Sequence, residues 1–241
     1  MFDISVTRWQ NGMTNARDTE TLSDLPLPNR MRLSELSDDF HQFNELVWSG
    51  LGFLPQPADK GIIQGTGFLK NLQPTFRMNK GFRMWADFLF GINALTGHLR
   101  VGLVDGPATI SNTVTDGIYM RTAGTANIDV VLSVNSQLLV QTGAARLVDP
   151  AGYEHPITFQ LYWDGGLYAS APNGRIVWEI SGPGIVTPAR GSFGGSSAYP
   201  FPDGFPRSTM LTPGIGSTAA MQIDMLAVYK DRFNILMNPT F

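Results

Sequence analysis

Apolar and polar positions alternate most regularly between Ile157 and Ile180. Ile157, Phe159, Leu161 and Trp163 fall on one face, and Thr158, Gln160 and Tyr162 on the other. A period of two predicts a strand with one face in a core and one in water. Asp164-Gly165-Gly166 and Asn173-Gly174 are turn signals, because Gly and Asn accept the positive φ that tight hairpins need. Ile176, Trp178 and Ile180 then resume the alternation against Arg175, Val177 and Glu179. The stretch predicts a three-strand antiparallel meander.

The same period recurs along the chain. Met84, Ala86, Phe88, Phe90 and Ile92 alternate with Trp85, Asp87 and Leu89, and Leu99, Val101 and Leu103 with Arg100 and Gly102. Gly117–Arg121 reads as a short strand, and Ile128, Val130, Leu132 and Val134 form a longer one. Leu138–Val140 is a short hairpin partner across Asn135, and Met221, Ile223, Met225, Ala227 and Tyr229 mark the closing strand. Leu33 to Trp48 is ambiguous: Leu33, Leu36, Phe40, Phe43 and Leu46 recur at helical spacings, with Ser34 or Ser37 available as N-cap. Pro55, Pro57 and the glycines between Gly61 and Gly67 read as loop or broken strand.

Two stretches lack periodicity. Residues 181–218 are dominated by Gly, Pro and Ser and read as one long loop. Phe193, Tyr199, Phe201 and Phe205 within it argue against plain disorder and mark it as a surface that binds a neighbour. Residues 1–32 read as an extended N-terminal arm, with Trp9, Leu25 and Leu27 as its candidate contacts with a neighbouring subunit, and residues 233–241 as a tail. About eight to twelve short strands with turns between them indicate an all-β, antiparallel two-sheet β-sandwich or jelly roll over residues 33–232.

Composition changes this picture modestly. At 241 residues the chain fits one large β domain. With no cysteine it has no disulfide or thiolate metal site. Its net charge of −3 carries no basic stripe, which argues against a duplex nucleic-acid partner. Charged residues make up 15%, against roughly 25% in a typical soluble domain, so part of the surface is expected to be covered by a partner. The first residues lack a basic segment followed by an apolar run, so no signal peptide is expected, and no apolar stretch is long enough to span a membrane as a helix.

Candidate chemistry is sparse. His41, His98 and His155 show no metal-ligand spacing, and His155 reads as a surface residue. The glycines of 61–67 lack a P-loop lysine. Asp105, Asp116 and Asp164 are conceivable calcium ligands, but Asp at such positions is more often a turn former. No G-x-S-x-G elbow is present. The Glu-x-Asp-x-x-Glu string of laminarinase-like sandwich glycosidases is reduced to Asp224 in its nearest counterpart, Gln222–Ala227. Neither catalysis nor a cofactor or metal is expected. Tyr119, Tyr162 and Tyr168 sit on polar faces, where they are either a glycan-stacking platform or cross-strand aromatic pairs.

Several segments then line up in a familiar order: Phe90-Gly91, Asp116-Gly117-Ile118, Trp163-Asp164-Gly165, Asn173-Gly174, Leu211-Thr212-Pro213 and Ile223-Asp224. The chain from about Asp38 to Arg232 thereby resembles the concanavalin A-like or laminin G-like jelly-roll proteins of tailed-bacteriophage virions. In them Asp38-Asp39-Phe40 with Trp48 would mark entry into the fold, against the helical spacing. The resemblance implies a non-enzymatic structural protein that decorates or cements the outside of the capsid, made in the host cytoplasm. Its partners would be the major capsid protein and other copies of itself, without nucleic acid or membrane. The alternative is a carbohydrate- or receptor-binding module of a phage tail or fibre.

Overall fold

The computed structural model describes residues 32–38, 40, 47–55, 63–72, 76–77, 83–95, 97–106, 113–149, 152–164, 174–195, 197–202, 205 and 209–231. The strands in chain order are β1 (Arg32–Asp38), β2 (Trp48–Pro55), β3 (Ile63–Asn71), β4 (Phe76–Arg77), β5 (Arg83–Ile92), β6 (His98–Val104) and β7 (Gly117–Ala123). They continue as β8 (Asn127–Val134), β9 (Gln137–Arg146), β10 (Ile157–Asp164), β11 (Arg175–Ser181), β12 (Ala189–Gly194) and β13 (Met210–Asp231). The described residues include no helix long and apolar enough to cross a membrane. All the pairings between strands are antiparallel, as the alternating sequence predicts.

The 22-residue β13 joins the two halves of the sandwich. Its first part, Thr212–Ser217, pairs with β6, and its second, Met221–Asp231, pairs with β5. One layer therefore runs β12-β11-β10-β5-β13 and the other β13-β6-β7-β8-β9. The hydroxyl of Ser217 at the bend donates to the Ala219 carbonyl at 2.7 Å and accepts from its N–H at 3.2 Å. Those bonds occupy backbone groups that the change of layer takes out of the ladder.

The core lies between the layers and is built mostly from the predicted apolar positions; beyond the register shift at Ile223/Met225, β13 faces it with Leu226 and Val228 in place of the expected Met225 and Ala227. Met84, Ala86, Phe88, Phe90 and Ile92 of β5 face inward beside Ile157, Phe159, Leu161 and Trp163 of β10, all essentially buried. Phe88 and Phe159 stack at 5.9 Å between ring centres, on directly paired positions. Burying each such side chain stabilises the fold by about 1.5–3 kcal/mol relative to leaving it in water.

Three expectations need correction. β10 pairs directly with β11, from Thr158 opposite Ser181 to Asp164 opposite Arg175, so no strand lies between them. The third strand of that meander is β12, which pairs with β11 and comes from within the expected loop. Residues 181–218 are thus not one loop, since β12 takes 189–194 and β13 begins at Met210. Within the ambiguous Leu33–Trp48 stretch, the strand alternative holds for 32–38, which pair with β13. A register shift between Ser34 and Leu36 explains the helix-like spacing of Leu33 and Leu36, because a bulge adds one residue to the period of two. Finally, the Leu138–Val140 strand extends over the ten residues of β9.

The glycine-rich β2 and β3 form a bulged pair, with the shift between Leu51 and Phe53. Gly52 has φ +84, and a Cβ there would lie 1.8 Å from the Thr66 carbonyl oxygen. Only glycine fits. The bulge also resets the alternation: Phe53 is buried, whereas Leu51 and Leu54 are 69% and 68% exposed. The glycines of this pair serve close backbone approach.

Candidate functional site

The aromatic side chains expected to meet a neighbour mostly pack on the molecule itself. Phe193 is fully buried in β12, its ring edge-on to Tyr199 at 5.9 Å. Phe201 and Phe205 lie 4.1 Å apart between centres, and both lean on Trp163, at 6.0 and 5.5 Å. These rings close one end of the core, with Phe201 and Phe205 partly buried, and Tyr199 alone of the four is exposed, at 36%. Trp9, Leu25 and Leu27 lie outside the described residues.

The three tyrosines of the expected platform separate. Tyr119 is 2% exposed, in a small second cluster with Val104, Val114 and Val131, so it offers no stacking face. Alternation did place it on the outer face, but here that face carries its own cover. The Arg100 guanidinium lies 5.2 Å from the centre of its ring. Burial raises the Tyr119 pKa, partly offset by Arg100 and Arg121, and burial lowers that of Arg100. Tyr168 lies outside the described residues.

Tyr162 stands in a groove on the outer face of β5, β10, β11 and β12. The groove encloses about 290 Å³ and is lined by Asp87, Gln160, Tyr162, Val177, Glu179 and Arg190, among others. Register makes this site. Asp87 lies opposite Gln160, Gln160 opposite Glu179, and Glu179 opposite Arg190, a polar row crossing four strands. One alternation step along the strands, Trp85 lies opposite Tyr162 and Tyr162 opposite Val177, a parallel row of apolar and aromatic positions. The Gln160 amide donates to Asp87 Oδ1 at 2.9 Å, which fixes both groups at the floor. Alternation had assigned Gln160, Tyr162, Val177, Glu179 and Asp87 to polar faces, but only pairing register brings them into rows.

The remaining candidates have structural surroundings. Asp116 is buried and accepts from the Asn135 N–H at 2.8 Å and the Thr209 hydroxyl at 2.7 Å, so its carboxylate holds a turn. Among the described residues no three His, Asp or Glu side chains are grouped to hold a metal. His155 Nε2 lies 3.6 Å from Glu154 Oε1, His98 is exposed, and His41 lies outside the described residues. Asp224 is exposed on β13.

No protein-family model matches the chain, and no curated protein matches it in sequence. Solved structures do share its fold. Lectin I from Ulex europaeus superposes with a TM-score of 0.55 at 12% identity, over 83% of this chain and 98% of the lectin. An endo-1,3-beta-glucanase from Streptomyces sioyaensis gives 0.51 at 10%, over 86% and 99%. The CBM2 module of the evolved Dit of Lactobacillus casei BL23 phage J-1 gives 0.50 at 8%, over 83% and 97%. At such identities the likeness is one of fold. The chain is an all-β, antiparallel jelly-roll sandwich of the concanavalin A-like type.

Proposed function

We propose that this chain is a non-enzymatic structural protein of a tailed-phage virion that decorates or cements the outside of the capsid. Its partners are the major capsid protein and neighbouring copies of itself, and it is made in the host cytoplasm before joining the shell. The order of motifs from Phe90 to Asp224 supports the virion reading, and a phage module shares the fold.

The observation that carries the assembly role is the β2 edge. Among the described residues β2 pairs with β3 alone, and it presents Leu51 and Leu54 to solvent. Leu72, 47% exposed, stands at the other end of the same hairpin. A sheet edge bearing large apolar side chains is a template for another chain, and soluble monomers usually blunt such edges with charge or proline. Covering Leu51 and Leu54 contributes about 1.5–3 kcal/mol per side chain at most, modest for one copy. Repetition over a lattice turns such contacts into stable decoration.

The groove geometry supports a non-enzymatic reading. Its carboxylates, Asp87 and Glu179, are two strand spacings apart, roughly 10 Å between backbone positions. Gln160 lies between them in register and its amide donates to Asp87, so the position an inverting pair would keep for water between its carboxylates holds an amide.

Co-sedimentation with undecorated heads tests the proposal. Saturable binding at a fixed ratio to the shell protein is expected. A protein that stays in the supernatant at all concentrations would overturn it.

A further inference from the structure

We infer that the outer groove of β5, β10, β11 and β12 is a binding site for a neutral sugar chain. This inference does not depend on where the protein sits in a virion.

A sugar ring has two kinds of surface: a rim of hydroxyl groups and a face of C–H bonds. The groove offers both, side by side. The polar row Asp87, Gln160, Glu179 and Arg190 supplies carboxylate and amide oxygens to accept from hydroxyls, and a guanidinium to donate to them. The adjacent row places the Tyr162 ring and Val177 one step along the same strands, where a C–H face would rest. The Gln160–Asp87 bond orients two of the polar groups before any ligand arrives, which lowers the ordering cost of binding.

Size and charge narrow the ligand. At about 290 Å³ the groove lies at the small end of small-molecule sites, which run roughly 300–1,000 Å³. The polar row crosses four strands, so it is about 14 Å long, enough for a short run of linked rings. Among the lining side chains carboxylates outnumber guanidinium groups two to one, a lining that disfavours uronate, sialate or phosphate groups. A neutral chain fits this chemistry better than an acidic one.

The test uses the full chain on an array of neutral gluco-, galacto-, manno- and rhamno-oligosaccharides, with polygalacturonate and oligolysine as charged probes. Titration calorimetry follows on the best neutral binder. At least one neutral oligosaccharide is expected to bind, polygalacturonate to fail, Tyr162→Ala to weaken binding about tenfold or more (~1.4 kcal/mol) and Tyr162→Phe to retain it. Should Tyr162→Ala not fold, Glu179→Gln, a near-isosteric change on the outer face, is expected to weaken binding instead. Three results would overturn the inference: silence across all neutral sugars, affinity unchanged in the folded variants, or binding of oligolysine alone, which would indicate a cationic peptide site.

Discussion

The indole Nε1–H of Trp178 donates to Gln141 Oε1 at 3.0 Å, joining β11 of one layer to β9 of the other. The Gln141 amide in turn donates to the Ser192 carbonyl of β12 at 2.9 Å. β12 and β9 are the two ends of the path of paired strands, so one side chain bridges the seam where the nearly closed sheet lacks a ladder. Gly191 permits the arrangement, because a Cβ there would lie 2.3 Å from the Trp178 ring.

Gln141→Leu should therefore destabilise the protein by more than its small size change suggests. It strands the buried Trp178 N–H, which costs about 1–3 kcal/mol. The melting temperature should fall by several degrees. Trp178→Phe removes the same bond, so a double-mutant cycle should show clear non-additivity. Additive losses would mean the bond contributes nothing.

A second fastening holds the β8–β9 turn. Asn135 and Ser136 both have positive φ, 55° and 64°, the signature of a type I′ hairpin. Asp116 grips the Asn135 N–H with one oxygen and the Thr209 hydroxyl with the other, just before β13 begins. Thr209→Val should cost about 1 kcal/mol and Asp116→Ala about 2–4 kcal/mol in urea unfolding. A chelator should leave wild-type stability unchanged, since these carboxylate bonds are made within the chain.

Tyr119 gives a pH dependence with a definite sign. Its pKa is raised above the ordinary 10.0, chiefly by burial, so on raising the pH the unfolded chain loses its phenol proton first. The unfolded state then binds fewer protons than the folded state, and stability falls as pH rises. Stability linked to this group is fully present below pH 10 and is lost as pH climbs through the raised value. Tyr119→Phe should flatten the alkaline limb of a stability–pH curve and leave the neutral region unaltered in slope. An unaltered alkaline limb would assign that loss to other groups.

β5, β10 and β11 were legible because one-sided burial writes a period of two into them. In β13 the expected face holds only through Ile223, because the register shift between Ile223 and Met225 turns its core face to Leu226 and Val228. The first part of β13 was not legible, since Pro213 argues against a strand interior. The pairings explain its tolerance: on the side away from β6, β4 ends its pairing at Leu211 and β3 begins at Gly214, so Pro213 falls in the gap. β12 was hidden because Ala189–Gly194 carries one large apolar residue, Phe193, amid glycines. Alternation placed Tyr162 outward correctly, and it placed Tyr119 outward too, where a second cluster covers it. The groove was illegible for a different reason: Asp87 and Arg190 are far apart in sequence, and only register aligns them.

The most direct test of the assembly role compares three proteins for binding to undecorated heads: wild type, the double variant Leu51→Glu/Leu54→Glu, and Tyr162→Ala. Both variants alter exposed or half-exposed side chains, and circular dichroism should show each folded. If the β2 edge seats on the shell, the β2 variant loses most of its binding while the groove variant saturates heads as wild type does. Full decoration by the β2 variant would contradict that seating.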